Sequence, residues 1–424
     1  MEFKKSTVEE LIEQDVIEKP MDGNHGSIHP KTKDFTDVGI PFITAADIHS
    51  DKVDIEKANK LSEKDAQKLK KGFAKKRDVL LTHKASVGRT AVVNNMEYDY
   101  IILSPQVTYY RIKDTTTLLP EYLYLYFKSN YFNQIINQWA GGSTRKYIGI
   151  TAQKKLPILY PSIKNQKKIV DFIMTFEYKV QVNKKIIANL EELSQTLFKR
   201  WFVDFEFPDE NGNPYKSSGG DMVESELGVI PKDWSIQTLN DISESYNTKR
   251  KPLSKLEREK VASIYPYYGA TKIIDYVDDY LFDGKFILVG EDGTVQTEEG
   301  HPFVQYVWGQ FWVSNHAHIL KGKNLSDEVL MLILNNIDIQ PYITGAVQPK
   351  ISKKNLNSIK IVVGSKLIYG KFDQYINTYY KKIREVHDEN KYLTQLRDTL
   401  LPKLMSGEIE IPDDIEVNED ELSI

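Results

Sequence analysis

The chain has 424 residues, of which 41% are hydrophobic and 27% charged, and it contains no cysteine. This length predicts two or three domains, and the lack of cysteine excludes disulfides, thiolate zinc sites and cysteine nucleophiles. The net charge of −4 is uneven, because eight acidic and no basic residues in the tail (407–424) leave +4 for residues 1–406. With no apolar signal segment and no run of eighteen apolar residues, we expect a cytoplasmic protein without a membrane span.

The first region, residues 1–163, has the mixed pattern of an α/β domain. Short β-branched or aromatic runs separated by turn residues predict strands, and residues 120–139 have the apolar spacing of a helix. The strand runs are "DVLLTH" (78–83), "TAVVNN" (90–95), "YIILS" (100–104) and "VTYYRI" (107–112).

A long helix is predicted next, over residues 164–206, because apolar residues recur at alternating steps of four and three. Near its end five aromatic residues fall within ten positions, which is too many for an exposed linker. We interpret Phe198, Trp201 and Phe202 as a surface for a partner, since a contiguous apolar patch commonly marks an interface. Phe205 and Phe207 complete the cluster. The alternative is that all five belong to the core of the chain itself.

The second half begins with residues 207–225, whose glycine, proline, asparagine and serine content predicts a linker. Residues 226–364 repeat the strand and helix pattern, residues 365–406 predict a second long helix, and residues 407–424 form the acidic tail. The main runs are "KFILVG" (285–290), "PFVQYVWGQFWVS" (302–314), "DEVLMLILNN" (327–336) and "IKIVVG" (359–364).

The two halves are related by an internal repeat. The segment "LEELSQTLF" (190–198) matches "LTQLRDTLL" (393–401) at an offset of 203, and the same offset places Ile148 on Ile351. We therefore expect an α+β fold with two α/β domains and two long helices in a coiled coil, arranged as a pseudo-twofold repeat. The alternative is that each helix packs only on its own domain.

Two quoted segments carry a resemblance to a known family. "LSQTLFKRWFVDFEFP" (193–208) and the ending "LTQLRDTLLPKLMSGEIEI" (393–411) resemble the specificity subunit of type I restriction-modification systems, and the likeness covers nearly the whole chain. The resemblance implies that each α/β domain is a target-recognition domain for one half of a split DNA site. The two helices would lie antiparallel and act as a spacer. The acidic tail beyond Ile411 departs from the family pattern.

The resemblance also implies which molecules bind this chain. The partners would be double-stranded DNA, two methyltransferase (M) subunits and restriction (R) subunits. The chain would not bind a membrane. The chain itself would have no catalytic residue and bind no cofactor directly. The adenine methyltransferase and ATP-dependent endonuclease activities would lie in the partner subunits, which would use S-adenosylmethionine, ATP and Mg.

Loops rich in small, polar and basic residues are the candidate DNA contacts. They are residues 22–31, 82–90 and 141–147 in the first domain and residues 290–296 and 344–350 in the second. Arginine and lysine suit guanine edges, and asparagine and glutamine suit adenine. The candidate loops of the second domain carry fewer positive charges than those of the first, so the two domains should read different sequences. For any one such loop the alternative is a solvated surface turn. The candidates are Asn24, His25, Lys84, Ser86, Arg89, Thr144, Arg145 and Lys146 in the first domain, and Thr294, Gln296, Gln348 and Lys350 in the second.

Each helix seam contains one asparagine, Asn183 and Asn390. An antiparallel pairing that brings these two together also pairs apolar residues along the seam and places Trp201 against Phe372. A buried amide costs stability unless it is paired, and a paired one fixes the register of a coil. We therefore predict that the two asparagines set the register.

The sequence contains little that supports a catalytic function. No G-x-G-x-x-G or P-loop pattern occurs, and the nearest match to an amino-methyltransferase loop, Asn213-Pro214-Tyr215, is one proline short. His316 and His318 could share a strand face, but no third ligand lies near them, so no metal site is predicted. The main alternative is a non-catalytic two-module adaptor for protein or glycan partners, and a stand-alone enzyme ranks third.

Overall fold

The computed structural model describes residues 2–49, 52–94, 96–141, 147–345 and 347–412. The chain divides into two compact units, residues 1–182 with 389–424 and residues 183–388. The division falls inside both long helices, and each unit holds one of the two α/β regions. Among the described residues, no helix is long and apolar enough to cross a membrane.

The first unit contains short strands and mostly short helices. Its strands are β1 (Lys4–Thr7), β2 (Met21–Asp22), β3 (Phe35–Thr36), β4 (Ile40–Ile43), β5 (Ile48–His49), β6 (Lys52–Val53), β7 (Lys60–Leu61), β8 (Phe73–Ala74), β9 (Val79–Thr82), β10 (Thr90–Val92), β11 (Ile101–Leu103), β12 (Val107–Tyr110) and β13 (Pro157–Tyr160). Its helices are α1 (Val8–Glu13), α2 (Glu63–Ala66), α3 (Pro120–Lys128), α4 (Asn130–Trp139), α5 (Ile150–Gln153) and the start of α6 (Ile163–Phe198).

Two sheets form the body of the first unit. One has the antiparallel order β10-β9-β12-β2, and the other has the order β3-β7-β4-β11-β8 with β4 and β11 parallel. Leu81 and Tyr110 of the first sheet pack with helices α3 and α4, whereas Leu80 and Tyr109 pack toward Ile43 of the second sheet. Because alternate residues of a strand point to opposite faces, the first sheet is buried on both sides.

The helix predicted over residues 120–139 is two helices, α3 and α4. The backbone of Ser129 is extended, and its hydroxyl accepts a hydrogen bond from the Phe132 amide at 3.2 Å. Serine is a preferred residue at a helix start because it satisfies such an amide. The break lets Phe132 stack on Phe127, with ring centroids 4.5 Å apart.

The second unit has the same kinds of element. Its strands are β14 (Met222–Ser225), β15 (Gly228–Pro231), β16 (Ser235–Thr238), β17 (Ser243–Ser245), β18 (Tyr265–Tyr268), β19 (Ile273–Val277), β20 (Phe282–Asp283), β21 (Phe286–Gly290), β22 (Val304–Val307), β23 (Gln310–Val313), β24 (Ala317–Gly322) and β25 (Lys360–Val363). Its helices are α7 (Leu239–Ile242), α8 (Lys255–Arg258), α9 (Asp327–Leu334), α10 (Lys353–Asn357) and most of α11 (Lys366–Ser406).

The sheets of the second unit repeat those of the first. Their orders are β22-β21-β24-β17 and β19-β18-β23-β20, with β18 and β23 parallel. Strand for strand, these orders match β10-β9-β12-β2 and β7-β4-β11-β8, and β16 pairs with β25 as β1 pairs with β13. The internal repeat inferred from sequence is therefore confirmed in the topology. The run over 302–314, read as one segment, is two strands in different sheets, separated at Gly309 with φ of +81°.

The long helices follow their predicted bounds closely. Helix α6 ends at Phe198 and continues as a π-helical turn, Lys199–Val203, while α11 covers Lys366–Ser406. Part of the predicted linker is ordered as strand β14, which pairs with β15.

The ends of the two long helices pack together within each unit. In the first unit, Arg397 of α11 donates to Glu177 of α6 at 3.2 Å. In the second unit, the ring of Trp201 lies 5.4 Å from that of Phe372, as the antiparallel pairing predicted. Because the later part of α6 pairs with the earlier part of α11, the two helices run antiparallel.

Candidate nucleic-acid interface

The β9–β10 loop carries three of the predicted DNA residues. Lys84 and Arg89 are exposed, and Ser86 is half-buried. The Thr82 hydroxyl donates to the Ser86 carbonyl and accepts from the Arg89 amide at 2.9 Å, so one side chain ties both ends of the loop. The Arg89 guanidinium donates to the Ala45 carbonyl at 3.2 Å, which uses part of its hydrogen-bonding capacity.

The loop after β2 divides its two predicted residues between interior and surface. Asn24 is buried, where its amide donates to the Lys71 carbonyl at 2.7 Å and accepts from the Lys70 amide at 3.0 Å. These bonds occupy Asn24 inside the domain, and its burial does not support the prediction that it contacts DNA. His25 is half-exposed, with Nε2 at 2.6 Å from the Asp22 carboxylate.

A buried polar cluster lies beneath these loops. The Asp22 carboxylate accepts hydrogen bonds from Lys71 and His25. Burial by itself would raise the pKa of Asp22, but the Lys71 and His25 hydrogen bonds outweigh it and lower the pKa overall. His83 is fully buried, and its Nδ1 donates to the Ile148 carbonyl at 3.1 Å. Burial lowers the pKa of His83 to about 4, so its ring is neutral at neutral pH.

The third loop of the first unit includes Thr144, Arg145 and Lys146, which lie outside the described residues. The next residue, Tyr147, forms a β-bridge with Lys84, and its ring centroid lies 5.6 Å from that of His83. The end of the third loop is therefore next to the β9–β10 loop, and the DNA contacts of the three residues stay a prediction.

The two candidate loops of the second unit also lie together. Asp292 and Thr344 each form a β-bridge with Lys350, and the Lys350 ammonium is 3.5 Å from the Glu291 carboxylate. All four predicted residues are exposed. These residues are Thr294, Gln296, Gln348 and Lys350.

A histidine is also buried beneath the loops of the second unit. His318 Nε2 donates to the Ile351 carbonyl at 2.8 Å, and its Nδ1 accepts from Asn247 at 2.8 Å. Burial lowers the pKa of His318. Burial would raise the pKa of Glu291, but the hydrogen bond from Arg250 and the proximity of His318 lower it overall.

Sequence reasoning missed a relation between the two histidines. Ile148 and Ile351 are equivalent in the repeat, so both domains anchor a buried imidazole on the same carbonyl position. The histidines themselves come from different strands, since His83 follows β9 and His318 lies in β24. The matched isoleucines were visible in the sequence, but only the fold shows what their carbonyls bind.

The other candidate histidine has a different environment. His316 is half-exposed and bonds to Asp292 at 2.5 Å, whereas His318 is buried. Within the described part of the chain, no group of three or more histidine, aspartate or glutamate side chains could hold a metal ion.

The aromatic cluster lies in the core of the second unit. All five of its members are at most 9% exposed. Phe202 stacks on Tyr369 with centroids 4.9 Å apart, and Phe207 stacks on Trp234 at 5.0 Å. This burial favours the core interpretation over the partner surface, because Phe198, Trp201 and Phe202 expose little area to another chain.

Two repeated α/β units, each with its own gathering of polar loops and each packed on parts of two long helices, have the architecture of a two-module recognition protein. The family model "Type I restriction modification DNA specificity domain" matches residues 9–192 and 231–391, more than half of the chain. The chain belongs to this family, and the resemblance inferred from its helix-end segments is confirmed.

Curated relatives and a solved structure agree with this membership. The chain is 24% identical to the type I restriction enzyme MjaIX specificity subunit of Methanocaldococcus jannaschii, over 97% of both chains. It is also 24% identical to the HindI specificity subunit of Haemophilus influenzae, over 82% of this chain and 89% of that one. The crystal structure of the S subunit from M. genitalium matches with a TM-score of 0.57 and 17% identity, covering 98% of this chain and 97% of that one. Because only 17% of the residues are identical, this structural match shows a shared fold and no more.

Proposed function

We propose that this chain reads DNA for a type I restriction-modification complex, with one unit for each half of a bipartite site. The observation that carries the proposal is the equivalent gathering of loops in the two repeated units. Lys84 meets Tyr147 in the first, and Asp292 meets Lys350 in the second. Lys84 and Lys350 are exposed at these two places, and lysine is one of the side chains that contact DNA phosphates.

The long helices are proposed to set the distance between the half-sites. Helix α6 has 36 residues, which at 1.5 Å per residue gives a rod of about 54 Å. One turn of duplex DNA is about 34–36 Å long. A rod of this length is sufficient to hold two readers at least one helical turn apart on the DNA.

The same repeat supports the proposed partners. Two equivalent helices offer two equivalent docking positions, which suits two methyltransferase subunits, and restriction subunits would complete the complex. S-adenosylmethionine, ATP and Mg would be bound by those partners, and this chain would contribute recognition rather than catalysis. We place the complex in the cytoplasm, where bacterial or archaeal DNA is accessible.

A domain exchange tests the proposal. Residues 1–163 are replaced by the corresponding domain of another family member, and the complex is reconstituted with its methyltransferase subunits. Sequencing that detects methylated adenine should show a change in one half-site only. Exchange of residues 226–364 is the matched control and should change the other half-site. A change in both half-sites, or in neither, would contradict one-domain-per-half-site reading.

A further inference from the structure

Helix α4 carries side-chain amides on one face. They recur at spacings of three and four residues, which places them together along the helix, and they line an open cleft on the surface. The opposite face, with Phe132 and Ile136, is buried in the core. The amides belong to Asn130, Asn133, Gln134, Asn137 and Gln138.

This face is unusual for a helix that only meets solvent. The segment Asn130–Trp139 contains no charged residue, in a chain that is 27% charged. Asparagine is also a weaker helix former than lysine or glutamate, the usual residues of a solvated face. Local choices that disfavour the element they occupy point to a functional site.

Three of the five amides are available for a ligand. Asn133 is committed to the fold, because its Nδ2 donates to the Phe127 and Lys128 carbonyls at 3.2 Å, and Asn137 donates to the Asn133 carbonyl at 2.8 Å. Within the described part of the chain, the remaining three make no side-chain hydrogen bond. These are Asn130, Gln134 and Gln138.

The amide face borders the candidate DNA loops. Gly88 of the β9–β10 loop approaches α4 so closely that a Cβ there would lie 2.8 Å from Asn133 Oδ1, and its φ of +98° also favours glycine. The C-terminal end of α4 leads directly into residues 141–147, which contain the third candidate loop. Exposed Lys84 and Arg89 stand on the same β9–β10 loop. A neutral amide helix thus lies beside the β9–β10 loop, which carries Lys84 and Arg89.

We propose that the amide face of α4 reads base edges, entering the major groove at the half-site of the first unit and pairing with adenine. A side-chain amide bonds adenine N6 and N7 in a bidentate manner, and a helix fits the width of the major groove. A face without carboxylates does not repel the phosphates that flank the groove. The assignment rests on the proposed DNA-reading function.

The second unit reads its half-site differently. Between α9 and α10, where α4 would have its counterpart, the described residues contain a 3-10 turn, Gln340–Tyr342. The predicted DNA-binding residues of the second unit all lie on loops. Helix readout therefore belongs to the first half-site.

Two single variants, Gln134→Ala and Gln138→Ala, test the proposal in the complex reconstituted with methyltransferase subunits. Affinity is measured by fluorescence anisotropy on a duplex with the recognition sequence, mapped by methylation, and on an unrelated duplex. We expect at least one variant to lose about tenfold on the cognate duplex, since a bidentate base contact carries that order of discrimination. Affinity for the unrelated duplex should not change. Replacing an adenine of the first half-site should weaken the wild type and not that variant.

The control is Gln374→Ala, which removes an exposed amide from helix α11 of the other unit and should bind both duplexes like the wild type. Equal losses on both duplexes, unchanged binding by both α4 variants, or loss of methyltransferase association would each overturn base reading by α4. The exchange of residues 1–163 separates the two proposals. If that exchange redirects one half-site while the α4 variants have no effect, only the assignment to α4 fails.

Discussion

The structure changes the interpretation of one residue of the aromatic cluster, Trp201. Its place in the aromatic cluster predicted a partner surface, whereas the antiparallel pairing of the long helices predicted a contact with Phe372. The structure places Trp201 against Phe372 and beside Tyr375, with ring centroids 5.4 Å and 6.2 Å away. Trp201 is 6% exposed. Its apolar area therefore stabilises the second unit itself.

We expect Trp201→Ala to destabilise the isolated subunit by about 3–5 kcal/mol, because truncating a buried tryptophan removes its contacts and leaves a cavity. Thermal or urea unfolding of the purified chain measures this loss. Tyr392→Ala is the control, since Tyr392 is largely exposed on α11 and its removal should cost about 0.5 kcal/mol or less. An unchanged unfolding midpoint together with lost methyltransferase binding would restore the partner-surface interpretation.

At the scale of elements, a buried ionic cluster ties helix α11 to the second domain. Glu328 at the start of α9 is fully buried, and its Oε1 accepts from Lys285 at 2.7 Å, from the Tyr306 hydroxyl at 2.6 Å and from Arg384 at 3.0 Å. Arg384 lies on α11, so one carboxylate joins a strand, a short helix and a long helix.

The first unit fastens its long helices in a similar way. Glu177 of α6 accepts from Lys128 of α3 at 2.6 Å and from Arg397 of α11 at 3.2 Å. Charge-assisted hydrogen bonds are shorter and stronger than neutral ones. In each unit, a carboxylate therefore links the α/β domain to a long helix.

Glu328→Gln should cost about 3–5 kcal/mol, because it leaves Lys285 and Arg384 partly buried without their counter-charge. Burial alone would raise the pKa of Glu328, but the hydrogen bonds from Lys285 and Tyr306 bring it below its ordinary value of 4.5. The carboxylate therefore contributes stability above pH 4.5 that is lost as the pH falls through the folded-state pKa. In unfolding experiments between pH 7 and pH 3, the stability of the Glu328→Gln variant should therefore fall less with decreasing pH than that of the wild type.

The matched control for Glu328 is Glu259→Gln. Glu259 forms an exposed ion pair with Lys255 at 3.6 Å, and such surface pairs contribute about 0–1 kcal/mol. If both variants lose the same small amount of stability, the cluster around Glu328 does not fasten helix α11.

At the scale of the whole molecule, the seam asparagines are predicted to set the register of the long helices. The contact of Trp201 with Phe372 agrees with the sequence-derived pairing that also joins Asn183 to Asn390. The asparagines belong to different units, so their pairing stays a prediction.

Replacing both Asn183 and Asn390 with leucine should raise the unfolding midpoint, since an apolar pair replaces a buried amide pair. Replacing one alone should be worse than replacing both, because the other amide is then left without its partner. Unfolding of the two single variants and the double variant measures this coupling. Additive effects of the two single changes would contradict the pairing.

The sequence by itself determined the duplicated design of this protein. A constant offset of 203 revealed the repeat, and sustained apolar spacing located α6 and α11 within a few residues at most ends. Helix periodicity is a local property that many successive residues reinforce, so it can be read from sequence alone. The β9–β10 loop and the loop after β21 were also found as turns with exposed residues, because glycine and polar residues between strand runs mark such turns.

Only the tertiary structure decided which side chains face inward. Ser129 divides one apolar stretch into two helices, and Gly309 sends two neighbouring strands into different sheets. Asn24 and the aromatic cluster are buried because segments far apart in sequence, around Lys71 and Tyr369, pack over them. Burial depends on such long-range contacts, which local composition does not encode. The amide face of α4 became a candidate reader for the same reason, since only folding places it beside the β9–β10 loop.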